Sequence, residues 1–226
     1  MKLAVLFSGG KDSCFACYKA MKDNEVVCLI TLISKNPDSY MFHTPNINLA
    51  KVQAQAIGLP LLALDTEGKK EEELNDLEKS IEIAKEKYGV EGIVTGAVQS
   101  VYQSSRIQKI CDKLNLKCVN PLWQINLKEY MQEFIHSGFK AIISGVFSQP
   151  FDESWLGKFI DEKTLEELIK ISEKFSISIA GEGGEFETFV FDGPIFKKRI
   201  EIKKASKVYK NYSGVYNIEK VRLVSK

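Results

Sequence analysis

The stretch that decides the fold runs from Leu3 to Met21 and has the sequence Leu-Ala-Val-Leu-Phe-Ser-Gly-Gly-Lys-Asp-Ser-Cys-Phe-Ala-Cys-Tyr-Lys-Ala-Met. Its first five residues are apolar and predict a buried strand. Cys14, Cys17, Tyr18 and Met21 recur at helical spacing and predict a helix that follows directly. The six residues in between therefore form a loop at the carboxyl end of a strand, which is where open parallel sheets bind ligands.

This loop, Ser8 to Ser13, has the properties of a polyphosphate site. Gly9 and Gly10 let the backbone approach a polyphosphate closely, and the N-terminus of the following helix offers N–H groups and a partial positive charge. Ser8 and Ser13 add hydroxyl donors, and Lys11 can neutralise phosphate charge. Every one of these features favours an anion.

Asp12 requires a partner in such a site, because phosphate repels a carboxylate. A divalent cation can bridge the two, or the carboxylate can cap the helix. We therefore predict Mg²⁺ held through Asp12. The glycine spacing excludes both a Walker A loop and the Gly-x-Gly-x-x-Gly pattern of dinucleotide-binding proteins.

The string Ser-Gly-Gly-Lys-Asp-Ser in this position resembles the loop of the N-type ATP pyrophosphatases, which form the PP-loop superfamily. The resemblance implies a five-stranded parallel sheet of the HUP type with helices on both faces, ATP bound through residues 8–13, and chemistry at the α-phosphate that releases pyrophosphate. It also places Met41-Phe42-His43-Thr44 near the adenine, so we predict that His43 contacts the nucleotide. An ordinary loop with one apolar anchor is the alternative for that segment.

The remainder of the first half fits an α/β protein. Short apolar runs alternate with helix-period segments, which is typical of a parallel sheet wound with helices. Further strands are predicted at 26–33, 61–64, 92–96 and 117–120, and further helices at 47–57, 74–88 and 107–114.

After Pro121 the pattern changes. A helix over 127–135, a strand at 140–146 and a helix around 165–169 lead to a glycine- and glutamate-rich segment. The last stretch, 199–224, alternates like antiparallel strands with a turn at Ser213-Gly214. We predict an ATP-binding domain at 1–120, followed by a smaller α/β substrate-binding domain at 121–226.

Composition and charge limit the function classes. The chain has 226 residues, of which 44% are hydrophobic and 27% charged, as in ordinary globular proteins. Its formal net charge is +1, which gives no global electrostatic reason to bind nucleic acid or an anionic membrane. Charges break every apolar stretch before the ~20 residues that a membrane span needs, and Met1-Lys2-Leu3 leads straight into a strand pattern. We expect a cytoplasmic protein with no direct nucleic-acid or membrane binding.

The five cysteines are an odd number in a chain without a signal pattern, so we expect reduced thiols. Cys14 and Cys17 are interpreted as core-facing residues of the first helix. A zinc site would need a second ligand pair, and His43 and His136 are the only histidines.

The segment from Gly96 to Arg106 follows the fourth predicted strand and so faces the same sheet edge as the glycine loop. Gly96 is assigned to the nucleotide. Tyr102 and Arg106 are four residues apart and share one helix face. Arg106 is assigned a catalytic role, either on the charge that develops at phosphate or on a substrate carboxylate, and Tyr102 and Gln103 are assigned to the substrate. A solvent-facing helix start is the alternative.

Two further motifs narrow the substrate. Trp123 in Pro-Leu-Trp and Trp155 in Ser-Trp-Leu-Gly stand at connections, where each either belongs to the core or holds a cation against its ring face. In Gly-Glu-Gly-Gly-Glu-Phe-Glu-Thr, Glu182, Glu185 and Glu187 repel one another, so a metal, a positively charged substrate or a proton-transfer role would compensate them. A solvated acidic turn is the alternative.

Taken together, these motifs resemble the diphthine–ammonia ligase family over nearly the whole chain. The resemblance implies that ATP adenylates the carboxyl group of diphthine on translation elongation factor 2, that ammonium supplies the nitrogen, and that AMP and pyrophosphate leave. It implies catalytic roles for Asp12, Arg106, Glu185 and Glu187. Diphthine carries a trimethylammonium group, which gives a use for Glu182, Glu185, Glu187 and the two tryptophans, and Glu182 and the tryptophans are assigned to the substrate. One residue departs from the family pattern, since Phe186 stands where a tyrosine is expected.

Two alternatives stay open. A tRNA-modifying pyrophosphatase of the thiolation type would have a basic face and exposed catalytic cysteines. A protein that binds ATP as a sensor without turnover would typically have a different glycine spacing. The chain has no glutaminase-like segment, so free ammonium is the expected nitrogen source. The oligomeric state is open.

Overall fold

Strands and helices alternate through the first half of the chain. A computed structural model describes residues 1–34, 45–68 and 72–226, and the statements below concern those residues. The strands are β1 (Lys2–Leu6), β2 (Glu25–Ser34), β3 (Leu61–Thr66), β4 (Gly92–Val94) and β5 (Lys117–Val119). The helices are α1 (Lys11–Met21), α2 (Ala50–Ile57), α3 (Glu72–Tyr88) and α4 (Val101–Lys113).

These five strands form one parallel sheet in the order β3-β2-β1-β4-β5. Successive side chains of β1 point to opposite faces, as in any strand. Leu3 and Val5 pack in the core that contains α1 and α2, whereas Ala4 packs in the core that contains α3 and α4. Helices therefore cover both faces, and the predicted doubly wound sheet is confirmed.

The loop after β1 lies at the point where the strand order reverses. The chain moves from β1 outward to β2 and β3, then returns to the other side of β1 to form β4 and β5. The loops after β1 and β4 consequently separate to opposite faces and leave a crevice between them, where doubly wound proteins bind ligands.

The second half of the chain forms an antiparallel sheet. Its elements are α5 (Leu127–His136), β6 (Lys140–Val146), α6 (Glu162–Phe175), β7 (Phe186–Asp192), β8 (Lys198–Lys210) and β9 (Ser213–Ser225). The sheet order is β7-β6-β9-β8. The predicted C-terminal antiparallel strands are confirmed, and β7 is an additional strand within the segment that sequence patterns marked only as rich in glycine and glutamate.

The turn of the β8–β9 hairpin lies two residues earlier than predicted. Ser213 and Gly214 belong to β9, and the turn residues are Asn211 and Tyr212, with φ of 50° and 61°. A two-residue hairpin turn of this kind needs positive φ at both central positions, and asparagine adopts it more readily than most residues. The prediction at Ser213-Gly214 was wrong because it followed the glycine rather than the asparagine.

The two sheets share a hydrophobic core among the described residues. Phe15 of α1 packs against Phe134 and Phe139, with ring centroids 5.8 and 5.9 Å away. The same cluster contains Leu3 of the first sheet and Val190 of the second. The division at residue 120 stays a prediction. No helix in the described ranges is both long and apolar enough to cross a membrane.

Candidate active site

A cavity of about 340 Å³ opens at the crevice of the parallel sheet, a size within the usual range of ligand pockets. Residues after β1 and β4 form its floor, among them Ser8, Thr95 and Gly96. One wall is apolar and contains Phe7, Ile30, Leu32, Ile47, Leu77 and Ile107. The opposite wall is the loop of residues 181–184 together with Glu187.

The glycine loop folds around the hydroxyl group of Ser13. The N–H groups of Ser8 and Gly9 donate to Ser13 Oγ at 3.3 and 3.2 Å, and this hydroxyl donates to the carbonyl oxygen of Gly10 at 3.2 Å. Gly9 has a φ of 80°, in the left-handed region that favours glycine. Two backbone donors therefore converge on one oxygen atom at the start of α1.

The loop is fastened to the second sheet by Gln53, a buried residue of α2. Its Nε2 donates to the carbonyl oxygens of Gly9 and Val190, at 2.8 and 2.7 Å. The N–H of Val190 also donates to the Gly9 carbonyl, at 3.0 Å. Lys11 N–H donates to Thr188 Oγ1 at 3.0 Å. The shape of the loop thus depends on α2 and β7 as well as on its own sequence.

Gly96 permits the loop after β4 to approach the start of α1. A Cβ atom on Gly96 would lie 2.9 Å from both the carbonyl carbon of Asp12 and the backbone nitrogen of Ser13. Real Cβ atoms do not approach backbone this closely, so a larger residue would push the two loops apart.

Asp12 faces the cavity and has two protein partners. Lys11 Nζ contacts its two carboxylate oxygens at 2.7 and 2.9 Å, and the Tyr130 hydroxyl donates to Oδ1 at 2.6 Å. Burial raises the pKa of Tyr130, and the nearby charge of Asp12 adds to this. Burial by itself lowers the pKa of Lys11, but the negative charge of Asp12 and two glutamates outweighs it, so the pKa is raised.

The partners predicted for Asp12 were a divalent cation or a helix cap, and they did not include the neighbouring Lys11. The N-cap of α1 is Gly10, with no side-chain cap. In this structure Lys11 neutralises Asp12, and its buried Nζ lies 5.7 and 5.9 Å from the ring centroids of Tyr130 and Phe186. The Mg²⁺ contact of Asp12 stays a prediction. Within the described ranges, no group of three or more His, Cys, Asp or Glu residues is arranged to hold a metal ion.

Glu182 and Glu187 give the cavity an acidic wall. Burial raises the pKa of Glu187 to about 7, although the attraction to Lys11 lowers it in part. Burial, followed by repulsion from Asp12, raises the pKa of Glu182 to about 7. Both carboxyl groups therefore change protonation near neutral pH, as proton-transfer groups in active sites do.

Glu185, predicted to be catalytic, does not line the cavity. Its carboxylate accepts from the N–H of Ser178 at 2.7 Å and from the N–H of Gly183 at 2.9 Å. These two bonds close the loop that carries Glu182. In this structure Glu185 therefore shapes the acidic wall, and its predicted catalytic role stays untested.

Arg106, Tyr102 and Gln103 lie on the first turns of α4. The Arg106 guanidinium stacks on the Tyr102 ring, with Cζ 3.4 Å from the ring centroid, so the two share a helix face as predicted. Gln103 lines the cavity, whereas Arg106 and Tyr102 are not among its lining residues. Ser100 caps the helix by accepting from Gln103 N–H.

The structure does not bring the tryptophans into the cavity lining. Trp155 is buried, with its ring 5.0 Å from that of Phe151 and 4.2 Å from Lys158 Nζ. Trp123 is half-buried in the turn that follows Asn120. The predicted nucleotide contact His43 lies outside the described residues.

Sequence patterns did not identify three residues that position the glycine loop: Gln53, Tyr130 and Thr188. Gln53 and Tyr130 stand in helices, where nothing distinguishes them from other helical residues. Thr188 is the last residue of the acidic motif, and this position in the sequence was the only signal that it lies near the site.

The fold and the site together define a class. A doubly wound parallel sheet, with a Ser-Gly-Gly-Lys-Asp-Ser loop at its switch point and a cavity beside it, is an α/β nucleotide-binding architecture of the PP-loop type. Two family models match the chain: the diphthamide synthase N-terminal domain over residues 1–118 and the diphthamide synthase C-terminal domain over residues 126–224. The chain belongs to the diphthine–ammonia ligase family, and this membership implies a ligase that requires ATP.

Several curated relatives are named diphthine–ammonia ligase. Those from Bos taurus and Homo sapiens are each 36% identical to this chain, over 92% of it and 85% of the relative. The relative from Mus musculus is 33% identical, over 99% of this chain and 91% of the relative. A solved structure from Methanocaldococcus jannaschii, described as a predicted subunit of tRNA methyltransferase, covers 86% of this chain and 98% of its own, with 21% identity and a TM-score of 0.48. That likeness is too distant to bear on function.

Proposed function

We propose that this protein converts diphthine on translation elongation factor 2 to diphthamide, using ATP and ammonium through an acyl-adenylate. The observation that carries the proposal is the convergence of the Ser8 and Gly9 N–H groups on Ser13 Oγ at the start of α1. A pyrophosphate oxygen can replace that hydroxyl as the acceptor, because successive backbone N–H groups that converge in a turn form an anion-binding concavity. The apolar wall is suited to the adenine.

The reaction divides into two displacements. A carboxylate oxygen of the substrate attacks the α-phosphorus of ATP, the bond to the bridging oxygen breaks, and pyrophosphate leaves. The nitrogen of ammonia then attacks the carbonyl carbon, and AMP leaves with the oxygen that linked it. The N–H groups of the loop stabilise charge on the departing pyrophosphate. Lys11 is buried, is paired with Asp12 and does not line the cavity, so its charge acts on the pyrophosphate only at a distance.

The acidic wall fits a cationic acceptor and a proton transfer. Glu182 and Glu187 face the same cavity as Asp12, and their negative charge attracts the trimethylammonium group of diphthine and the ammonium ion. A carboxylate with a pKa of about 7 accepts a proton near neutral pH, so we assign Glu187 as the proton acceptor when nitrogen attacks.

Mg²⁺ belongs to the proposal through Asp12, whose carboxylate faces the cavity beside the glycine loop. When bound, the ion would reduce the negative charge of the polyphosphate. One protein carboxylate with phosphate oxygens and water is an ordinary Mg²⁺ environment, so the absence of a larger acidic cluster among the described residues does not conflict with this role.

The cysteines argue against thiolation chemistry. Cys14, Cys17, Cys28 and Cys111 are buried, and burial raises the pKa of Cys17 and Cys28 to about 12. The pKa of Cys118 is lowered by a hydrogen bond from the Cys111 thiol, but Cys118 is not among the cavity-lining residues. Sulfur transfer needs an accessible thiolate in the site.

The direct test supplies the protein with ATP, Mg²⁺, isotope-labelled ammonium and elongation factor that carries diphthine. Mass spectrometry of the modified peptide should show the acid-to-amide change with the label retained, and AMP and pyrophosphate should appear in equal amounts. Release of pyrophosphate that depends on tRNA and a sulfur donor would overturn the proposal. So would ATP binding without turnover when all of the substrates are present.

A further inference from the structure

A shallow groove adjoins the cavity on the surface of the molecule. Residues 124–128 before and at the start of α5 form one side, and residues 177–179 after α6 form the other. Gln99, from the loop between β4 and α4, lies at its end. Of the residues assigned above to nucleotide, catalysis or substrate, those that the structure describes do not line this groove.

Two loops contribute to both the groove and the cavity. In the loop after β4, Gly96, Ala97 and Ser100 line the cavity, while Gln99 lines the groove. In the loop after α6, residues 177–179 line the groove and residues 181–184 line the cavity. In the described part of the chain, these two loops therefore belong to both the groove and the cavity.

One hydrogen bond joins the two loops at this boundary. The N–H of Gln99 donates to Glu182 Oε2 at 3.3 Å, a long bond for a charged acceptor. Beside it, Gly183 and Gly184 are exposed, and no atom lies within 4 Å of a Cβ built on Gly184. The two glycines carry no side chains of their own that would block a substrate side chain on its way from the groove past Glu182 to the cavity.

The proposed acceptor determines what the groove must bind. The carboxyl group to be activated is part of a side chain on another protein, and the proposed nucleotide already occupies the cavity. The backbone of the acceptor must lie outside the cavity, within reach of it. The groove is a concave surface that borders the acidic wall.

The groove has the chemistry of a peptide site. Its floor consists of half-buried apolar side chains that pack against the main core, namely Ile125, Leu127, Ile177 and Ile179. Gln99 and Gln124 are exposed at its rim, where their amide groups can donate to and accept from a peptide backbone. Among the described residues that line it, Lys128 is the single charged one, so the surface does not suit a phosphate backbone.

We propose that this groove binds an extended segment of the acceptor protein that flanks the modified residue, with the modified side chain reaching over Glu182 into the cavity. The inference rests on the proposed function, because it takes a protein-borne substrate as given. The specificity for the acceptor would then reside in residues 124–128 and 177–179, apart from the nucleotide site.

The test compares Ile177→Asp with Ile195→Asp. Both isoleucines are half-buried in loops and pack against the same core, but Ile195 is not a groove residue. Ile177→Asp should raise KM for the elongation factor by about tenfold or more, because a charge in place of an apolar interface residue weakens binding by at least this factor. KM for ATP should stay unchanged. Ile195→Asp should change neither. The melting temperatures of both variants are measured so that loss of fold is excluded.

A second measurement does not depend on turnover. Hydrogen exchange of the wild-type protein is recorded with and without diphthine-bearing elongation factor, and amides at 124–128 and 177–179 should be protected. Gln124→Ala, with Gln55→Ala on the exposed side of α2 as its control, should weaken that binding without altering the fold.

These readouts separate the two proposals. If the wild-type protein fails to form the amide but the groove is protected by the factor, the proposed reaction fails and the docking surface stands. If the amide forms while the groove shows neither protection nor a change in KM on mutation, the docking surface is wrong. Protection of the groove by tRNA in place of the factor would also overturn it.

Discussion

Gln53 is the residue whose position explains most about the glycine loop. It is only 1% exposed, and its Nε2 donates to the Gly9 and Val190 carbonyls. Its Oε1 is buried and has no hydrogen-bond partner among the described residues. A buried acceptor without a partner costs stability. The two hydrogen bonds that Nε2 donates offset this cost and hold the amide in its observed orientation.

Gln53→Leu should weaken ATP binding more than it weakens the fold. Leucine removes both donated bonds, so the Gly9 carbonyl keeps only the Val190 N–H and the Val190 carbonyl loses its bond from Gln53. Leucine also removes the unpaired acceptor, so the stability change should stay within about 1 kcal/mol. We expect KM for ATP to rise by about tenfold. Steady-state kinetics and thermal denaturation check this. Gln55→Leu, on the exposed side of the same helix, is the control, and an equal KM in both variants would refute the assigned role.

Glu187 should make stability depend on pH in a defined window. Its pKa is raised from 4.5 to about 7, so the folded protein binds this proton more tightly than the unfolded chain does. Stability is therefore lost as pH rises from about 4.5 to about 7, because the unfolded carboxyl group ionises first. Glu187→Gln cannot ionise and avoids this loss.

The melting temperature of Glu187→Gln should consequently exceed that of the wild-type protein by an amount that grows through this window and then levels off. The free energy of unfolding should differ by up to about 3 kcal/mol at the top of the window, because the pKa of about 7 already includes the attraction to Lys11. Calorimetry over a pH series measures it, with Glu166→Gln on the exposed side of α6 as the control. A difference that is constant across the window would contradict the raised pKa.

At the level of elements, the site depends on how closely the loop after β4 approaches the start of α1. Gly96 makes the contact possible because any Cβ there would lie 2.9 Å from backbone atoms of Asp12 and Ser13. Such atoms cannot move without displacing the helix. The separation of these two elements therefore sets the geometry of the cavity floor.

Gly96→Ala should disrupt ATP binding through this contact. The added methyl group forces α1 and the loop apart, which should cost about 1–3 kcal/mol of stability and raise KM for ATP by at least about tenfold. Gly89→Ala is a matched control, because Gly89 has a φ of 64° but no atom lies within 4 Å of its added Cβ. It should lower the melting temperature through backbone strain alone and leave KM for ATP unchanged. Equal effects on KM would show that general destabilisation, and not the contact, is responsible.

Secondary structure was predictable wherever local chemistry specifies it. The five parallel strands, α1 and the glycine loop follow from apolar runs, helical spacing and glycine position, which act over a few residues. β7 was not predicted, because two glycines and three carboxylates precede and enter it and obscure its apolar alternation. The hairpin turn at Asn211 and Tyr212 was misplaced by two residues because Gly214 is a stronger local turn signal than asparagine.

At the scale of the whole molecule, the two sheets behave as one packed unit. Phe15 of α1 contacts Phe134 and Phe139 of the second half, and the Val190 N–H donates to the Gly9 carbonyl. If either half unfolded alone, it would expose this shared core and release the glycine loop. The site exists only while both halves are folded.

Unfolding should accordingly be a single cooperative transition. Both tryptophans lie in residues 121–226, so fluorescence reports on the second half, whereas far-ultraviolet circular dichroism reports on the whole chain. The two denaturation curves should coincide. Phe15→Leu should shift both curves equally, by about 1–3 kcal/mol, although neither tryptophan belongs to its half. A fluorescence transition separate from the dichroism transition would show independent domains.

The sequence by itself determined the parallel sheet, the glycine loop after its first strand and the family to which the chain belongs. Only the tertiary structure decided what holds that loop: Gln53, Tyr130 and Thr188, which contact it across 44, 118 and 177 residues. It also showed that the Glu185 carboxylate accepts hydrogen bonds from Ser178 and Gly183 in the loop that carries Glu182, and it gave Asp12 the partner Lys11. Strands and helices depend on neighbours in the chain, but hydrogen bonds across such separations depend on how whole elements pack, and no local pattern of residues encodes that.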